Sequence, residues 1–107
     1  MPLVGKIDLR VCRDVKIGEE VSIFELFGEE ELKKEFTVES DVELDKTKLK
    51  VTVDNLGSIE CVADAFKKKG SKTSLWNIMK YRDMSVKMKV EQEIKKDDVL
   101  SIIVETI

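Results

Sequence analysis

The side chains that could do chemistry in this sequence are cysteine, lysine and carboxylate, because histidine is absent. Without imidazole there is no Ser-His or Cys-His nucleophile pair, no imidazole general base and no histidine metal ligand. Cys12 and Cys61 stand far apart and form no Cys-x-x-Cys pair. Two thiols also fall short of the four ligands a structural zinc site needs. Cys12 takes the polar parity of an alternating segment and Cys61 lies beside an apolar stripe, so both read as inert boundary thiols. Lysine–carboxylate chemistry is the one catalytic route left open, and no nucleophile–base spacing marks it. The expectation is a chain with no catalytic residues, no cofactor and no metal site.

Two local patterns invite a sharper reading and do not sustain it. Glu29-Glu30-Glu31 is a run of acids without the D-x-D-x-D-G spacing of a calcium loop. Gly70-Ser71-Lys72-Thr73-Ser74 offers amides, hydroxyls and a lysine ahead of a helical segment. It lacks the upstream glycine of a Walker loop, and Lys72 does not follow a glycine directly. A helix C-cap followed by a polar connection explains it as well.

Charge is the most distinctive feature. The chain carries 19 cations and 22 acids, a net of −3, and charged residues reach 38%, above the usual quarter or so. The mean conceals two blocks. Residues 17–45 hold eleven acids and two lysines, a net of −9, whereas residues 65–96 hold ten cations and three acids, a net of +7. Unless folding interleaves them, these blocks make a dipolar molecule. Glu29, Glu30, Glu31, Glu39, Asp41 and Glu43 are the candidate acidic partner surface. Such a surface suits head-to-tail self-association, docking on a charged protein, or nucleic-acid mimicry that fills a basic groove on a partner. In the basic block, Lys67, Lys68, Lys69, Lys72, Lys80 and Arg82 lie among Trp76 and Tyr81. Cations interleaved with aromatics are what single-stranded nucleic-acid contact uses, with phosphates on the cations and bases on the rings. The acidic balance of the whole chain weighs against a dedicated nucleic-acid binder. A non-enzymatic interaction or assembly domain is therefore the first functional expectation, and single-stranded nucleic-acid binding is the alternative.

The elements that must position these residues are read from periodicity. Leu3, Ile7, Leu9 and Val11 alternate with polar residues as a half-buried strand. Val21–Phe27 is dense in apolar residues and reads as a central strand, with a helix as the alternative for so short a run, and Gly28 punctuates it. Phe36–Leu44 and Leu49–Val53 alternate around Asp45-Lys46-Thr47-Lys48 and read as a β-hairpin. Ser58 as N-cap, followed by Ile59, Val62, Ala63 and Phe66, predicts a helix closed by Lys67-Lys68-Lys69 and Gly70. Ser71 or Ser74 caps a second helix carrying Leu75, Ile78, Met79 and Arg82. Val86–Ile94 and Val99–Val104 return to strand, the latter apolar on both parities and therefore interior, with a pairing to the first strand expected.

The expected fold is α+β: a mainly antiparallel sheet of about six strands, with two short helices inserted between strands 4 and 5. Ile7, Leu9, Phe36, Val38, Val51, Val62, Phe66, Val90 and Ile102 are the expected core. At 107 residues the chain reads as a single domain, 1–107, and no internal repeat stands out. No apolar run approaches the roughly 18 residues of a membrane-spanning helix. The N-terminus lacks the apolar region of a signal peptide, which favours a cytoplasmic protein with free thiols and no membrane partner. A Lys- and Glu-rich chain whose only amides are Asn55, Asn77 and Gln92 is also what thermophilic sources tend toward.

Overall fold

The computed structural model describes residues 2–107. In chain order the elements are β1 (Leu3–Arg10), β2 (Glu20–Val21), α1 (Ile23–Leu32), β3 (Phe36–Thr37), β4 (Lys48–Val53) and β5 (Gly57–Val62), followed by β6 (Lys72–Thr73), α2 (Leu75–Ile78), α3 (Tyr81–Met84), β7 (Met88–Lys89) and β8 (Val99–Thr106). The four long strands form one antiparallel sheet in the order β1-β8-β4-β5. Two small antiparallel ribbons, β2 with β7 and β3 with β6, stand apart from it. Isolated bridges join Val15 to Ile94 and Val42 to Lys67.

Period-two patterning sets the face of the sheet that meets the core. Leu49, Val51 and Val53 of β4 are buried beside Leu100, Ile102 and Val104 of β8. Ile59 and Cys61 of β5 extend the face on one side, and Val4 and Leu9 of β1 extend it on the other. The opposite face carries Lys6, Asp8, Ser101, Lys50 and Glu60 and stays polar, with Val99 and Ile103 exposed among them. α1 and α2 close the core with Ile23, Leu26, Phe27, Leu75 and Ile78.

The class is α+β, but the expected arrangement of six strands with two helices between strands 4 and 5 is wrong. The described residues form eight strands in three sheets, and the segment read as the fourth strand, β4, leads directly into another strand, β5. Val21–Phe27 is not a central strand. Ser22 and Glu25 form a capping box, in which the Ser22 hydroxyl accepts from the Glu25 amide and the Glu25 carboxylate accepts from the Ser22 amide. Two otherwise orphan amides are satisfied there, and that starts α1. Gly28, at φ 81° and ψ 166°, kinks the helix instead of ending it.

The first expected helix, from Ser58, is also absent. Ile59 and Cys61 on β5 and Ala63 just beyond it are buried in alternation, and Val62 is only half-buried. Phe66 is 68% exposed, so its place in the expected core is overturned. Ile7 is half-buried against the core, and the other six expected core residues are buried. Ser74 does cap the second helical segment, which breaks into α2 and α3 where Met79 and Lys80 turn extended. The expected hairpin of Phe36–Leu44 with Leu49–Val53 does not form: β3 pairs with β6, and β4 pairs with β5 and β8. The pairing of the final strand with the first is present.

An internal repeat, unnoticed in the sequence, governs the architecture. Residues 52 positions apart make the same contacts. The Cys12 amide donates to Leu26 O as Asp64 does to Ile78 O, both at 2.9 Å. Gly18 donates to Val90 O as Gly70 does to Val38 O, both at 2.8 Å. Asp45 donates to Ala63 O as Asp97 does to Val11 O, and both aspartates hold positive φ, 61° and 75°. Phe24 and Trp76 are likewise equivalents on α1 and α2. The second unit is one residue shorter after Asp97, so Leu49, Val51 and Val53 correspond to Leu100, Ile102 and Val104. The two units are interlocked. Among the described residues every strand pairing and both isolated bridges join one residue from 2–54 to one from 55–107.

Candidate interaction surface

The repeat brings its two helical segments together, and their equivalent aromatics with them. Phe24 follows the first residue of α1 and Trp76 follows that of α2, each just past a serine N-cap. Their neighbours Ile23 and Leu75 are buried, so the aromatics lie at the core's margin, both half-buried. The ring centroids of Phe24 and Trp76 are 6.0 Å apart, with the planes tilted by 36°. On its other side Phe24 stacks on Tyr81 of α3, at 5.3 Å and 22°. These separations fall in the range favoured by aromatic pairs. Tyr81 is 55% exposed and Val86 beyond it 44%.

Cations rim the cluster. Lys33 Nζ sits 5.5 Å from the Trp76 ring centroid, a cation–π approach. The same ammonium pairs with Glu29 at 2.6 Å. Lys87 pairs with Glu25, beside a shallow cleft of about 220 Å³ lined by Ser22, Phe24, Glu25, Tyr81, Ser85 and Lys87. The Lys87 ammonium and then the Ser22 amide hold the Glu25 carboxyl below its ordinary range. Arg82 is exposed beside Tyr81.

The residues expected to form a basic surface are shared between two environments. Lys67 and Lys68 line a small cleft with Asp41 and Glu43, Lys67 bridges to Val42 through the backbone, and the Lys69 amide donates to Asp41 Oδ1 at 2.8 Å. Lys72 Nζ donates to Thr37 Oγ1 across the β3–β6 ribbon. Lys80 approaches Asp45 at 3.5 Å. Trp76, Lys80 and Arg82 belong to the helical end with Tyr81. The acidic candidates divide as well. Glu29, Glu30 and Glu31 line an open cleft of about 420 Å³ with Arg10, Cys12 and Lys96. Glu31 accepts from the Arg10 amide at 2.8 Å and pairs with Lys34 at 2.6 Å. Burial alone would raise the Glu31 carboxyl, but those contacts outweigh it and leave it lowered. The Glu39 amide donates to Val4 O, and Asp41 and Glu43 face the lysines just named. Folding thus sets some acids of the first unit against cations of the second, as in Lys87–Glu25 and Lys80–Asp45, while Arg13–Glu19, Lys33–Glu29, Lys34–Glu31 and Lys95–Glu93 pair within a unit.

Phe24 and Lys33 complete the cluster and were not foreseen as site residues. The signal for Phe24 was available, since Gly18-Glu19-Glu20-Val21-Ser22-Ile23-Phe24 matches Gly70-Ser71-Lys72-Thr73-Ser74-Leu75-Trp76 in glycine, serine and the aromatic; Lys33 has no such counterpart. No protein-family model, curated protein or solved structure matches the chain.

Proposed function

We propose that this chain is a small non-enzymatic interaction domain that docks a protein partner on the Phe24–Trp76–Tyr81 cluster. The observation that carries the reading is Tyr81, a large aromatic left more than half exposed and stacked on Phe24, whose ring in turn packs on Trp76. Tyr, Trp and Arg are the residue types that dominate binding energy at protein interfaces, best in a supported patch whose polar rim excludes water. Arg82, Lys33 and Lys87 supply that rim. Base stacking is less well supported, since Lys33 already lies over Trp76 and Phe24 packs between the other two rings.

The test is affinity capture from cells that make the protein, with the parent chain, Tyr81→Glu and Ile103→Ser compared. Ile103 is exposed on the opposite, polar face of the sheet and serves as the control. A protein held by the parent and the control but lost from Tyr81→Glu supports the reading. The same proteins on all three baits refute it. Fluorescence polarisation with oligothymidylate at two salt concentrations addresses the alternative. Tight binding that falls steeply with salt and depends on Tyr81 replaces a protein partner by single-stranded nucleic acid.

A further inference from the structure

We infer that two copies of this chain form a dimer by exchanging halves, with residues 2–54 of each completing the fold of residues 55–107 of the other. The interlocked repeat is the ground for this. Within the described residues β1 and β4 find their sheet partners only in β5 and β8, β2 finds its partner in β7, and β3 in β6. A half therefore satisfies none of its strand hydrogen bonds from within itself. It is complementary to the other half whether or not the two share a chain.

The sheet order reinforces this. In β1-β8-β4-β5 the halves alternate, so the inner pair β8–β4 is built of equivalent strands related by an approximate two-fold axis. One short connection decides between the closed and exchanged forms. β4 and β5 are joined by Asp54, Asn55 and Leu56, with Val53 paired to Gly57. The turn requires Asn55 at φ 62° and Gly57 at φ 154°, both outside the region most residues prefer. When that turn opens, β4 and β5 run on in one direction, and every other contact re-forms between chains. Such reciprocal exchange has a low free-energy cost, because closed and open forms share their contacts.

Concentration sets the balance. A short flexible connection gives the tethered half an effective concentration on the order of millimolar. Intermolecular pairing therefore competes when the chain refolds at about 1 mM, and loses at about 1 μM. If the connection is too short to span, the effective concentration falls toward zero and the exchanged form prevails at any concentration. Return to monomer then requires unfolding, so the dimer persists after dilution.

The experiment is refolding from denaturant at micromolar and millimolar concentrations, followed by size-exclusion chromatography with light scattering. The dimer fraction should rise at least tenfold between the two concentrations. Native mass spectrometry of dimers mixed with nitrogen-15-labelled dimers should show no mixed species over hours, whereas ordinary surface dimers scramble within minutes. Deleting Asn55 and Leu56 should make the dimer the main species even at micromolar concentration. Tyr81→Glu should leave all of this unchanged, which separates the exchange from the docking surface proposed above. Only monomer from millimolar refolding, or dimers that scramble promptly, overturns the inference. A deletion variant that is folded and monomeric overturns it equally. Should that variant not fold, the parent chain's refolding decides alone.

Discussion

Gly5 is the position where one added methyl group tests the crossing of β1 and β3 most directly. A Cβ built on Gly5 would lie 2.4 Å from Phe36 Cδ2, 2.5 Å from Cε2 and 3.2 Å from the Thr37 carbonyl oxygen. Ordinary carbon–carbon contact is about 3.5–4.0 Å, so the ring must move by about 1 Å. Phe36 is 5% exposed within the core, and the backbone of Thr37 blocks one direction of retreat. Overpacking of this kind costs about 1–3 kcal/mol. The backbone of Gly5 suits any residue, so alanine recovers roughly 0.5–1 kcal/mol through a less flexible unfolded chain. The net expectation for Gly5→Ala is a loss of about 1–2 kcal/mol, or a melting temperature lower by roughly 5–10 °C. Urea unfolding followed by Trp76 emission measures it, since Trp76 is the sole tryptophan. Phe36→Leu shortens the obstructing side chain, and in that background Gly5→Ala should be neutral or stabilising. The double-mutant cycle then shows a coupling of about 1–2 kcal/mol that relieves the clash. Equal destabilisation in both backgrounds, or none in the parent, refutes the close approach of β3 to β1.

Other expectations follow from burial and charge. Phe66→Ala should change stability by no more than about 0.5 kcal/mol, since Phe66 is mostly exposed. Leu9→Ala should lose about 2–5 kcal/mol, since Leu9 is 1% exposed; chemical denaturation distinguishes the two. Burial, and then the Asp83 charge, push the Cys61 thiol up to about 11. A disulfide reagent at pH 8 should therefore titrate one thiol, the exposed Cys12, and reach Cys61 only in denaturant. Glu19, Glu25 and Glu31 are all lowered from the ordinary 4.5, so their contribution is present above that pH and lost as pH falls through the lowered values. Thermal melts between pH 3 and 7 should show this decline, and Lys87→Met, which removes the main cause of the Glu25 shift, should make it shallower.

What the sequence made legible was local alternation, and what it hid was partnership. Phe36, Val38 and Val42 are buried on the expected parity. Yet they face residues 67–73, because the partner of a strand depends on closure of the whole chain and not on the nearest alternating segment. At Ile59, Val62, Ala63 and Phe66 the helical spacing competed with the two-residue period of Ile59, Cys61 and Ala63, and the sheet decided it. At Val21–Phe27 apolar density outweighed a local signal that was the better guide, the Ser22-x-x-Glu25 capping box. The candidate site suffered from the same cause. The two charge blocks were visible, but their interleaving, and the meeting of Phe24 with Trp76, follow from a repeat whose halves share glycines, serines and hydrophobic character rather than long identities. Val38-Glu39-Ser40-Asp41-Val42 against Val90-Glu91-Gln92-Glu93-Ile94 is the plainest trace of it.

The interlocking of the halves has a consequence for how the molecule is made. Synthesis proceeds from the N-terminus at about 5–20 residues per second, so residues 2–54 emerge with their strand partners still unmade. β8, the inner strand that pairs with both β1 and β4, is added last. β4 gains β5 within about ten further residues, but β1 waits on the order of 5–20 s for β8. Its net charge of −9 over residues 17–45 repels like chains during that interval, and acidic residues are the more effective ones for keeping a chain in solution. The acidic block thus favours solubility of the chain before the fold exists, and the basic block follows with β6 and β7, bringing the Lys80 and Lys87 that pair with Asp45 and Glu25.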